Sequence, residues 1–420
     1  MTFSPDLMQA VRNRFAHVDN CPEQGPRIFF ENAGGSLTLK TVVETSTRYA
    51  AIPDNQGRDN PMSKAQVDVI AKARADAMLV LGASSGQVFV GESGTELLFR
   101  MIMNACLGTD DGAVLGSSLE HPASRSAARR WAKISGKRYI SVPHDSETGS
   151  VSAEAYAAHV TPDTRVATIL HTSPVTGMSV DVAAVSETIR KVAPDCIIIV
   201  DGIQHAAHGA LSIDSYNIDG YAISPYKMFS RHGYGLAWIS DRLTALPHDA
   251  LDDGPEGNWE LGTRDTGAYA TFLDVVEYLE WLGTQVSDVA DRRERIEAAS
   301  KAIHDHEKHL TDVMINGTGN LTGLADLPGI QIIGGADNPR REGLVCISVK
   351  HIPAADIVSH LRENGIRAHV RKADHYSGNI LTPLGLESAV RISLCHYNDL
   401  SEVKAILSVL TELPVDAKSL

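Results

Sequence analysis

The strongest constraint in this sequence is an alternation. Short apolar runs at residues 87–91, 112–117, 165–171 and 196–201 are separated by stretches of helical spacing at 97–107, 125–135 and 185–192. Strands alternating with helices over about 150 residues predict an α/β fold, a mainly parallel sheet sandwiched by helices. Ligands of such sheets sit beyond the carboxyl ends of the strands. His121, His171, Asp201 and Lys227 all fall at or just beyond such ends. Asp201 closes the run Cys196-Ile197-Ile198-Ile199-Val200, and Lys227 closes Ile223-Ser224-Pro225-Tyr226, so the sheet presents a carboxylate and an amine to one ligand.

The rest of the chain divides around that core. Ser4-Pro5-Asp6 reads as a helix start, with Leu7, Val11 and Phe15 on one face, and residues 1–27 are taken as an N-terminal helical segment. The run Phe29-Phe30-Glu31-Asn32-Ala33-Gly34-Gly35-Ser36 is an extended stretch broken by small residues, read as a close approach of backbone to a ligand or as a plain turn. Residues 64–81 have helical spacing, with Val67, Ile70, Ala71, Met78 and Leu81 as the expected buried face. Ser93-Gly94-Thr95-Glu96 opens the next helix, and a helix start after a strand is an anion site. Its plainer alternative is a capping residue at Ser93 or Thr95. A charged helix over 291–310 contains the His304–His309 run, whose spacing distributes the side chains around the helix as a solvated face, not a metal site. From 321 onward, strands at 343–349, 367–371 and 389–395 mix with helices at 354–363 and 400–413. That order predicts a small α+β C-terminal domain with an antiparallel sheet over 301–420, beside a large domain over 28–300.

Composition excludes several function classes. A formal net charge of −14 disfavours nucleic acid and anionic membrane as partners. Five widely spaced cysteines, odd in number and outside any C-x-x-C pattern, give neither a disulfide frame nor a zinc site. Asp6 interrupts the N-terminus, and no apolar run reaches the roughly 20 residues of a membrane span. The expectation is a cytoplasmic protein acting on a small metabolite.

Pyridoxal phosphate makes three demands on a protein: a lysine for its aldehyde, a carboxylate to keep its pyridine nitrogen protonated, and N–H groups at a helix start for its phosphate. Lys227, Asp201 and the Ser93-Gly94-Thr95 turn meet them. Gln204 is positioned to donate to the phenolic oxygen and His121 to stack on the ring. A lysine freed by the substrate amine would act as base toward the Cα proton. Arg391 is the first choice to bind a substrate carboxylate and Arg371 the second.

Several segments together carry a resemblance: Val200-Asp201-Gly202-Ile203-Gln204, Ser224-Pro225-Tyr226-Lys227, Gly233-Tyr234-Gly235, Ser93-Gly94-Thr95-Glu96, Glu120-His121-Pro122-Ala123, Gly262-Thr263-Arg264-Asp265-Thr266-Gly267 and Val390-Arg391-Ile392-Ser393-Leu394. They resemble the class V aminotransferase family, on its cysteine desulfurase and selenocysteine lyase-like branch. The resemblance implies a fold type I homodimer with shared active sites, in which Lys227 forms the Schiff base, Asp201 meets the pyridine nitrogen, Gln204 the phenolic oxygen and His121 the ring. Thr95 and Ser224 would hold the phosphate, with Ser93, Gly94 and Tyr226 beside the cofactor. Thr263 and Thr266 would reach the partner's cofactor, and Arg391, Arg371, Asn32 and Tyr376 the substrate.

Three positions depart from that pattern. The loop that carries a sulfur-accepting cysteine in desulfurases reads Lys372-Ala373-Asp374-His375-Tyr376-Ser377-Gly378; Pro174 replaces an asparagine; Tyr226 replaces the histidine before the lysine. Cys395, placed by period two on the face of Arg391 and Ser393, is poorly suited to a mobile persulfide. The expected reaction is β-elimination on an amino acid, a C–S lyase without a persulfide-carrying loop cysteine. Transamination, or epimerisation with Tyr376 or His375 as second acid, is the alternative, and a noncatalytic scaffold of this fold is the alternative of another class.

Overall fold

The computed structural model describes residues 3–413. Seven strands form the main sheet: β1 (Gln87–Gly91), β2 (Ala113–Ser117), β3 (Arg138–Val142), β4 (Thr164–Leu170), β5 (Ile197–Asp201), β6 (Gly220–Ile223) and β7 (Gly235–Ile239). Their order is β1-β7-β6-β5-β4-β2-β3, and only β7 runs antiparallel to its neighbours.

The continuous apolar composition of β5 follows from its place in the middle of this sheet. Ile197 and Ile199 face a layer formed by α1 (Gly94–Leu107) and α2 (Pro122–Ile134), where they meet Leu97, Met101 and Ala127. Ile198 and Val200 face the opposite layer, where α3 (Val182–Val192) and α4 (Thr266–Val286) contribute Val185, Ile189, Phe272 and Val276. A strand buried on both faces tolerates no polar residue until it leaves the sheet. The first one, Asp201, therefore lies at the end.

The smaller unit has the antiparallel sheet expected of it, with strands β8 (Ile330–Ile332), β9 (Leu344–Val349), β10 (His369–Lys372) and β11 (Ser388–Ser393) in the order β8-β9-β11-β10. Helix α5 (Arg292–Asn316) joins the two cores: Ile296, Ala299 and Ile303 pack in the large one, Leu310 and Met314 in the small one. The division at residue 300 thus cuts a continuous helix. Ile28–Phe29 pairs in parallel with Ile366–Arg367 and Phe30 lies in the small core, while Phe29 also packs against the large core, so this segment touches both units.

Two further readings are corrected. In helix Pro61–Leu81 the expected Ile70 and Leu81 are buried and Met78 packs against the core, but Val67 is 46% exposed and Ser63, Gln66, Ala73, Asp76 and Val80 are buried as well. Polar anchors account for the difference, since Gln66 accepts from Thr266 Oγ1 (2.9 Å) and Asp76 pairs with Arg292 (2.9 Å). The His304–His309 run is not a solvated face: His306 and Glu307 are buried, because α5 is covered by both units. Among the described residues no helix is long and apolar enough to cross a membrane.

Candidate active site

The carboxyl ends of β1, β2, β4, β5 and β6 converge on one cavity, lined among others by Thr95, His121, Asp201, Gln204, Ser224, Tyr226 and Lys227. Lys227 is reached by a 3₁₀ turn, Pro225–Lys227, directly after β6. Its Nζ donates to Gln204 Oε1 (3.0 Å). Burial, with Arg391 and Arg371 nearby and against the attraction of Asp201, pushes the amine down to about 7. Asp201 is buried, accepts from the backbone N–H of Ile203 (3.1 Å), and burial pushes its carboxyl up to about 6. A carboxylate held so deep with so little hydrogen bonding favours a cationic N–H partner. His121 accepts from Ala123 N–H through Nδ1 (3.2 Å) and caps α2; burial first, then Lys227 and two arginines, push it down to about 3, so the ring stays neutral.

At the start of α1 the roles separate. Ser93 is the N-cap, accepting from Glu96 N–H (3.1 Å), as the plainer alternative had it, while Thr95 lines the cavity. Gly94 has no room for a side chain, because a Cβ there would collide with Ser224 Oγ and Ile203. The closeness leaves backbone N–H groups open to an anion.

The small unit closes the other side. Arg391, buried on β11, donates to the carbonyl of Pro174 (3.0 Å), and its Nε has no partner among the described residues. Burial, then the neighbouring Arg371, pushes Arg391 down to about 10. Arg371 donates to Ser377 Oγ (2.8 Å), which ties the loop after β10. Tyr376, 48% exposed, sits with its ring centroid 6.1 Å from that of His121. Arg125 holds the carbonyl of His375 (3.0 Å) and Asn379 the carbonyl of Ser118 (2.7 Å), so the loop is tied to both units. Tyr226 stacks on His232 (4.4 Å).

Asn32 is not brought to the cavity, and Thr263 and Thr266, expected at a partner's cofactor, lie away from it. Asn32 is consumed internally: its amide donates to the carbonyl of Ser393 (2.8 Å) and its oxygen accepts from Tyr397. The same segment instead brings Gly34 to the site, where a Cβ would lie 3.5 Å from an Arg391 nitrogen. Thr263 and Thr266 line a separate depression with Tyr49, Asp54 and Asn55. Cys395 lies past the end of β11, buried against His396 (3.4 Å), so the period-two reading that put it beside Arg391 does not hold. The sequence reading missed Glu120, wholly buried beneath His121, which accepts from Thr168 Oγ1 (2.9 Å) and is pushed up to about 7 by burial. Its position just before His121 at a strand end was the available signal.

A parallel sheet with one antiparallel strand, an antiparallel small unit and a buried lysine–aspartate cavity between them define a fold type I α/β enzyme. The fold matches a cysteine desulfurase from Thermococcus onnurineus NA1 with a TM-score of 0.81 at 20% identity, covering 98% of this chain and 99% of that one. It matches the cysteine desulfurase CsdA of Escherichia coli at 0.77 and 19%, covering 98% of each. Residues 28–254 and 259–406 match aminotransferase class-V, and the chain belongs to that family of pyridoxal-phosphate-dependent enzymes. Among curated relatives, it is 23% identical to the cysteine desulfurase-like protein ustD of Aspergillus flavus, over 97% of this chain and 90% of that protein. It is 24% identical to the aminotransferase-like protein FGM3 of Gibberella zeae, over 98% and 99%. It also matches the nonribosomal peptide synthetase-like enzyme fsqF of Aspergillus fumigatus at 24%, spanning a quarter of that protein's length.

Proposed function

We propose that this chain is a desulfurase-like lyase that binds pyridoxal phosphate at Lys227 and eliminates a β substituent from an amino acid. One observation carries the reading: a partly buried amine and a buried carboxylate share a cavity at a helix start, beside a loop, residues 372–378, that contains no thiol. Bound there, the cofactor supplies an electron sink for the bond broken at the substrate Cα.

The protein's own residues do the rest. Asp201 would keep a proton on the cofactor's ring nitrogen, the α1 start with Thr95 and Ser224 would hold its phosphate, and neutral His121 would pack against its ring. The Lys227 amine, deprotonated near neutral pH because it is buried, takes the Cα proton at Nζ. Arg391 anchors the α-carboxylate, with Arg371 beside it. Tyr376 over His121 supports the alternative of a second acid on the opposite face, which is epimerase chemistry. The homodimer reading is supported by Thr263 and Thr266 lining a depression separate from the Lys227 cavity, beside a helix with Met62 and Val67 exposed. A cytoplasmic site of action rests on the cysteine usage.

The test is product analysis of the purified enzyme with amino acids carrying a β leaving group, cysteine among them. Keto acid, ammonia and released sulfur species are expected. Accumulation of the pyridoxamine form means transamination, inversion at Cα without loss of the substituent means epimerisation, and a protein that binds no cofactor means a scaffold.

A further inference from the structure

Behind Gln204 the site continues into the core. Gln204 Nε2 lies 3.0 Å from His208 Nε2, and His208 Nδ1 lies 2.7 Å from Glu307 Oε2. These side chains are 4%, 4% and 1% exposed, and they link the turn after β5 to α5. Glu307 Oε1 has no partner among the described residues, so His208 carries the hydrogen bonding of this buried carboxylate.

An imidazole held between a carboxylate and an amide has two proton arrangements. When neutral, its Nδ1–H donates to Glu307 and its Nε2 accepts from the Gln204 amino group. The Gln204 carbonyl then faces Lys227, which is the arrangement observed. When doubly protonated, both ring N–H groups donate, Gln204 must turn its carbonyl toward His208, and its amino group faces the cavity. The first arrangement suits a free lysine amine as donor. The second suits an oxygen anion.

We propose that Glu307 and His208 are positioning residues which, through one proton, set whether Gln204 presents its carbonyl or its amino group to the cavity. A ligand with an anionic oxygen against Gln204, such as the phenolic oxygen of pyridoxal phosphate, then binds together with a proton at His208. This rests on reading the Lys227 cavity as the cofactor site.

The groups facing His208 agree with such a device. Burial works against its charged form, yet Glu307 and then Glu342 outweigh it and hold His208 above its ordinary value, with Lys227 opposing. Burial likewise holds Glu307 above its ordinary value, against the attraction of His208. The other ionisable neighbours are His205, bound to Glu342 (2.8 Å), His304, whose Nδ1 is 3.2 Å from the His208 carbonyl, and the buried His396 and Cys395 near Glu307. On the cavity side of Gln204 stand Lys227 and the Asp201 carboxylate.

Calorimetric titration of the apo-protein with pyridoxal 5'-phosphate counts the protons taken up, in two buffers of different ionisation heat at about pH 8. Wild type is expected to take up about one proton more per site than His208→Gln and to bind about tenfold tighter, the scale of one hydrogen bond. Glutamine at 208 can still bridge Gln204 and Glu307 but cannot be charged. Glu307→Gln, which keeps the imidazole and removes the charge that holds its proton, is expected to give the same loss. Melting temperatures check both folds, and if His208→Gln does not fold, the Glu307→Gln comparison decides. Equal proton counts and affinities in wild type and variants overturn the relay and leave the cofactor site standing. A wild-type protein that binds no pyridoxal 5'-phosphate overturns that site and the relay with it.

Discussion

The two sides of the cavity are built differently. The side from the large sheet is well covered: Asp201 ends β5 and Lys227 follows β6 through a 3₁₀ turn, and every residue of both strands is buried. The side from the small unit has one buried group, Arg391, and otherwise a loop tied down by Arg371, Arg125 and Asn379, with Tyr376 in solvent. The residues proposed to hold the cofactor lie on the first side, and the loop over 372–378, which contains no cysteine, lies on the second. Under the proposed function, the first side would hold the cofactor and the second would select the reaction.

Substitutions test that separation. Lys227→Ala has the largest expected effect, a loss of turnover on the order of 10³-fold or more, since the residue is both cofactor tether and base. Asp201→Ala follows, at about 3–5 kcal/mol for breaking a buried charged pair; turnover near wild type would assign the ring nitrogen to another residue. On the opposite side, Arg391→Ala is expected to raise KM by about 100-fold for α-carboxylate substrates, as truncation of one partner of a buried charge pair does. An unchanged KM would move the anchor to Arg371. Tyr376→Phe is expected to change elimination rates by less than about threefold, because an exposed hydroxyl contributes little. A loss of more than tenfold would make the loop a catalytic element and dissolve the contrast.

The pH dependence of cofactor capture sharpens the same point. Burial lowers the Lys227 amine to about 7, so the nucleophilic neutral form is present above that pH and lost below it. Capture of pyridoxal phosphate by the apo-protein, followed by absorbance, should rise across pH 7 and level off; a rise continuing toward about pH 10 would mark an ordinary lysine.

The contrast also sets what the sequence could reveal. β5 and β6 were legible because a strand buried on both faces must be continuously apolar, so the polar residue at its end stands out. The small unit's sheet was legible from its strand and helix order. What escaped depends on contacts between distant segments. Asn32 looked like a ligand-binding residue until Ser393 and Tyr397 were seen to take up its amide. Gln66 and Asp76 look solvent-facing until Thr266 and Arg292 are placed against them. Glu307 and His306 read as surface charge because periodicity cannot show that α5 is covered by two units. Cys395 was assigned to a strand that ends two residues earlier.

The central claim is that Lys227 is the residue that holds the cofactor, and chemical fixation tests it most directly. The holoenzyme is reduced with borohydride, digested, and its peptides mapped by mass. The account predicts a phosphopyridoxyl mass on the peptide containing Ser224-Pro225-Tyr226-Lys227 and on no other, absent in Lys227→Ala. The modification on a different lysine, or on none in a protein that retains its yellow colour, would contradict it.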